Sequence, residues 1–111
     1  MKNLSFLMLF ILGSTLYAQK IDRIEPPNWW VGMNHNQLEL LIYGKDIAQF
    51  TPSLDNKNIQ ISAIRKTENS NYMFLKLDLS KAVSGKFNIN FSKKGKRIDF
   101  SVPYELKERN Q

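Results

Sequence analysis

Apolar and polar residues alternate with a period of two along most of the chain beyond residue 20, and no stretch sustains a helical period. The alternation predicts short strands separated by turns. The first is Ile21 to Glu25, stopped by Pro26-Pro27. Gln37 to Tyr43 follows, with Leu38, Leu40 and Ile42 on one face. Asn58 to Ile64 places Ile59, Ile61 and Ala63 on one side, and Asn71 to Leu79 does the same with Met73, Leu75, Leu77 and Leu79. Lys86 to Phe91 is the cleanest case, with Phe87, Ile89 and Phe91 set between Lys86, Asn88 and Asn90. Arg97 to Val102 repeats it with Ile98, Phe100 and Val102.

Turn residues fall between these runs. Asp55-Asn56-Lys57-Asn58 and Glu68-Asn69-Ser70-Asn71 are two such clusters. Ser84-Gly85 closes a third, after a single helical turn expected at Ser80 to Val83, and Lys93-Lys94-Gly95-Lys96 reads as a tight hairpin. The absence of strand–helix alternation argues against a doubly wound fold. The expected fold is all-β: an immunoglobulin-like β-sandwich of about seven strands. Two strands carry apolar residues on both faces. Leu41 and Tyr43 point outward on one, Tyr72 and Phe74 on the other. A contiguous outward patch of this kind suggests an interface.

The first residues do not belong to that pattern. Met1-Lys2-Asn3 is a short positive start, Leu4 to Leu12 is apolar apart from Ser5, and Gly13-Ser14-Thr15 is followed by Leu16-Tyr17-Ala18. That order is a secretory signal, and its apolar run is shorter than the roughly 20 residues a membrane-spanning helix needs. The expectation is a signal peptide over residues 1–18, cleavage after Ala18, and a single domain over 19–111 in the periplasm or outside the cell. No membrane attachment is expected after cleavage.

Composition narrows the chemistry. Of the 111 residues, 42% are hydrophobic and 23% charged, an ordinary globular balance. The net charge of +6 is spread over scattered lysines. That distribution fits solubility better than a nucleic-acid partner, which secretion also disfavours. No cysteine is present, which rules out disulfides, thiolate nucleophiles and cysteine metal sites. Most of the acids (Asp46, Asp55, Glu68, Asp78, Asp99, Glu105 and Glu108) stand at strand ends and turns, and no spacing selects a catalytic pair. His35 is the single histidine and lies in the polar loop Met33 to Gln37. No catalytic residue, metal site or cofactor is expected.

The unusual local feature is Glu25-Pro26-Pro27-Asn28-Trp29-Trp30-Val31-Gly32-Met33. Adjacent tryptophans on an extended segment point to opposite sides, so one enters the core and the other faces solvent or a partner. An indole face stacks on the C–H face of a sugar by desolvation and dispersion. Trp29, Trp30, Asn34 and His35, with the outward Tyr43, Tyr72 and Phe74, are therefore the candidate carbohydrate or interface contacts.

Ile24-Glu25-Pro26-Pro27, then Trp29 to Met33, then Leu38 to Gly44 as Leu-Glu-Leu-Leu-Ile-Tyr-Gly, resembles the N-terminal domain of cyclomaltodextrinases and neopullulanases of the α-amylase superfamily. The likeness is nearest to secreted enzymes of the Bacteroidetes type. Asn71 to Leu79 and Tyr104 to Arg109 resemble later parts of the same domain. The resemblance implies an immunoglobulin-like module placed before an α-amylase-type (β/α)₈ barrel. Enzymes of this kind hydrolyse α-glucan linkages in cyclodextrins, pullulan and maltooligosaccharides. It also implies a part in homodimer contacts and in shaping a substrate cleft. The catalytic acids of such enzymes lie in the barrel, which would begin beyond Gln111, so none is carried over to this chain. The alternative is a stand-alone secreted module that binds α-glucan or protein.

Overall fold

The computed structural model describes residues 21–95 and 97–109. The expected signal peptide over 1–18 and the Lys96 position of the hairpin lie outside the described residues. Eight strands form two four-stranded sheets. They are β1 (Arg23–Glu25), β2 (Trp29–Trp30), β3 (Gln37–Tyr43), β4 (Thr51–Leu54), β5 (Gln60–Lys66), β6 (Tyr72–Asp78), β7 (Gly85–Ser92) and β8 (Phe100–Lys107). The first sheet runs β1-β3-β6-β5 and the second β2-β8-β7-β4. All neighbours are antiparallel except β2 and β8, which pair in parallel. This partition is that of an immunoglobulin-like sandwich whose first strand is shared between the two sheets.

Alternation explains the core. Leu38, Leu40 and Ile42 of β3 meet Leu77, Leu75 and Met73 of β6, and all are buried. Phe87, Ile89 and Phe91 of β7 come down from the second sheet. Phe91 stacks on Phe100 at 5.0 Å between centroids, and Phe100 meets Phe50 edge-on at 5.1 Å. With no disulfide, stability rests on this burial, about 1.5–3 kcal/mol for each large apolar side chain removed from water.

The first strand changes sheets at Pro26-Pro27, where the missing N–H groups break the ladder. Buried Tyr104 of β8 holds the crossing: its hydroxyl donates to the Pro26 carbonyl at 2.8 Å. Burial pushes that hydroxyl well above the usual tyrosine value. A folded pKa above the unfolded one gives stability that is complete below about pH 10 and is lost as pH rises through that value toward the folded one. Tyr104→Phe should therefore cost about 1–2 kcal/mol at neutral pH by stranding the Pro26 carbonyl. It should also flatten the alkaline loss. Urea melts at pH 7 and above pH 10 check both effects.

The structure corrects the sequence pattern in several places. The strand expected over Arg97–Val102 begins at Phe100 and continues to Lys107, and Ile98 lies outside it, half exposed. Pro103 hid the continuation. It is tolerated because β2 covers β8 only at Leu106 and Lys107, so β8 has no neighbouring strand beside Pro103 on the side away from β7. In β5 the expected inward set Ile59, Ile61 and Ala63 is broken by a bulge between Ile61 and Ala63. Ala63 pairs with exposed Lys76 and shares its outer face, while Ile64 pairs with buried Leu75 yet is itself 43% exposed at the sheet edge. β4 was masked by Pro52, and a 3₁₀ turn at Ile47–Gln49 carries no sequence signal of its own. At Ser80–Val83 there is no helix. A single Ala82 N–H to Leu79 carbonyl bond at 3.0 Å closes a turn there.

Candidate functional site

Two surfaces gather the residues singled out by sequence, and the fold places them on different sheets. The first is the edge formed by β2. Trp29 pairs with Leu106 and Trp30 with Lys107, and the Val31 N–H donates to the Lys107 carbonyl at 2.9 Å. This clamps the pair to the end of the last strand. Trp29 is half-buried against the core, whereas Trp30 is 37% exposed. The two rings meet edge to face at 5.6 Å, so Trp29 backs the exposed indole. Gly32, at φ +77°, turns the chain immediately afterwards, a backbone region that side-chain-bearing residues avoid. Met33 then folds back beside Trp30, and with Glu108 and Arg109 these residues line an open hollow of about 440 Å³. Asn34 and His35 are exposed in the same connection but do not line that hollow.

The second surface is the outer face of the first sheet. Register sets Leu41 against Phe74 and Tyr43 against Tyr72, all half-buried. The Tyr43 and Tyr72 rings lie 4.9 Å apart, tilted by 48°. Guanidinium groups cover this strip from both flanks. Arg23 of β1 sits 4.9 Å from the Tyr43 centroid and Arg65 of β5 sits 4.0 Å from that of Phe74. Each arginine has a carboxylate beside it, Glu25 at 2.8 Å from Arg23 and Glu39 at 3.7 Å from Arg65. Such exposed cation–π contacts are worth about 0.5–1 kcal/mol each. The outer faces of Tyr43 and Phe74 are thus already occupied, which leaves Trp30 as the freer stacking surface. Sequence reasoning singled out Tyr43, Tyr72 and Phe74 but missed the arginines, because their partners are set by cross-strand register.

Among the described residues no group of three His, Asp or Glu side chains converges on a metal position. Asp78 is held below the usual carboxylate range by the Ser80 backbone N–H, which donates to it at 2.9 Å. That contact is a strand-end turn and has no second acid. Asp55 and Asp99 likewise accept backbone N–H groups, from Asn88 at 2.8 Å and from Lys93 at 2.7 Å. Asp78 and Asp99 are tied to their own turns, and Asp55 to strand β7. No helix among the described residues is long and apolar enough to cross a membrane.

Comparison with known proteins identifies the family. The family described as cyclomaltodextrinase, N-terminal, matches residues 23–110, from the first strand of the sandwich past the last. The match covers the accessory module of that family and no catalytic barrel, and the family implies association with an α-amylase-type catalytic domain. The chain belongs to the cyclomaltodextrinase N-terminal domain family.

Proposed function

We propose that this chain is the non-catalytic accessory domain of a secreted α-glucan hydrolase acting on cyclodextrins, pullulan or maltooligosaccharides. It works by contact. The observation that carries the reading is Trp30, an exposed indole fixed by Trp29 from behind and clamped by β8 beside Glu108 and Arg109. An aromatic held rigidly at low entropic cost is the usual anchor of a protein interface. Trp30 and its hollow contact the catalytic barrel. The guanidinium-covered strip of Leu41, Tyr43, Tyr72 and Phe74 serves a second contact, in a homodimer or beside the substrate cleft. The apolar run at residues 4–12 supports export to the periplasm or beyond.

The exposure of Trp30 also favours a second reading, a stand-alone module that stacks α-glucan on that ring. One set of measurements separates the readings. The isolated chain should release no reducing ends from pullulan or cyclodextrin, and maltoheptaose should leave its tryptophan fluorescence unchanged. A saturable fluorescence change abolished by Trp30→Ala would favour the stand-alone glucan binder. Turnover lost on replacing one of the chain's own acids, such as Asp78→Asn, would overturn the non-catalytic reading altogether.

A further inference from the structure

The sandwich has four edge strands, and one of them is long enough to recruit another chain. β1 and β2 are three and two residues long, and β4 has four residues, one of them Pro52. β5 runs for seven residues, Gln60–Lys66, without a proline and with two β-branched isoleucines, and it is exposed from Ser62 onward. Among the described residues it has a hydrogen-bonded neighbour, β6, on one side only. A strand of that length, with its charges confined to Arg65 and Lys66 at the end, is a template for pairing with a second copy over Gln60–Ile64.

Its interruption is the bulge. Ile61 opposes Leu77 and Ala63 opposes Lys76, so Ser62 is an extra residue with no partner in the ladder. The Ser62 hydroxyl lies 3.2 Å from the Lys76 carbonyl oxygen and 3.1 Å from the Gln37 side-chain oxygen, which ties the extra residue back to the sheet. A bulge bends its strand and raises the local twist, so a straight incoming strand loses register beyond it. We propose that the Ser62 bulge is an edge guard that stops β5 from adding a strand of a second copy of this chain. This inference stands apart from the function proposed above, because it concerns the free edge and not the aromatic surfaces.

The pairing on either side of the bulge makes the test clean. Deleting Ser62 joins Ile61 to Ala63 and leaves every side chain on its present face, with a regular seven-strand-residue edge reduced to six in an unbroken ladder. The deletion variant should self-associate at least about tenfold more tightly than wild type in light scattering over a concentration series. Adding Ile64→Lys, a charge at an exposed position of the free edge, should restore the wild-type behaviour. A folded deletion variant that associates no more than wild type overturns the proposal. Hydrogen exchange on wild type decides the case if the deletion prevents folding. The free-edge amides of β5 should stay unprotected at all concentrations, and protection that grows with concentration would equally overturn the guard.

Discussion

Phe91→Ala should remove about 3–5 kcal/mol of stability, the largest loss expected from any single truncation in the domain. The ring is fully buried near the end of β7, stacked on Phe100, and its backbone neighbours are Phe100 on one side and Pro52 on the other. Truncation would empty the space between the two sheets beside Phe50 and leave Phe100 with one aromatic neighbour in place of two. The surrounding backbone cannot close the gap, because β7 is bonded to β4 and β8 along both edges. Domains of this size have a total margin of roughly 5–15 kcal/mol, and this one has no disulfide to supplement it. Denaturant midpoints of wild type, Phe91→Leu and Phe91→Ala should fall in that order. The leucine variant should lose less than half as much, since it refills most of the volume.

The residues most legible in the sequence were those whose environment is set by their own strand. Phe87, Ile89 and Phe91 alternate with polar residues because β7 is central and has one dry face, so period two suffices to place them. The inward face of β3 and β6 was legible for the same reason. Where long-range pairing decides the outcome, alternation failed. Ala63 and Ile64 exchange faces through one unpaired residue whose position depends on Lys76 and Gln37, fourteen and twenty-five residues away in sequence. Pro103 reads as a strand breaker until β2 is seen to stop short of it, which leaves β8 without a second neighbour at that position.

The candidate contact surfaces show the same division. Extended geometry alone predicts that one tryptophan of the pair turns inward and the other outward, but the rings meet at 5.6 Å instead of standing on opposite sides. That the outward one is Trp30 depends on the parallel pairing of β2 with β8, which links residues more than seventy positions apart. The outward aromatics of β3 and β6 could be listed from the sequence. Their capping by Arg23 and Arg65 could not, since it follows from the sheet order β1-β3-β6-β5. The capping changes what the strip offers: planar cations above the rings in place of bare ring faces suited to sugar.

Trp30 carries the second large expected effect, because an anchor of this kind concentrates binding energy. Its indole is already oriented by Trp29, so little freedom is lost when a partner covers it, and truncating such a residue typically costs 2 kcal/mol or more, about a thirtyfold loss of affinity. Trp30→Ala should leave folding nearly intact, because Trp29 and not Trp30 packs on the core. The measurement that tests the account most directly is calorimetric titration of an isolated α-amylase-type catalytic domain of a cyclomaltodextrinase with this chain, as wild type and as Trp30→Ala. The account predicts saturable binding by the wild type that weakens about thirtyfold or more in the variant. Equal affinity of the two proteins, or no binding by a correctly folded wild type, would contradict it.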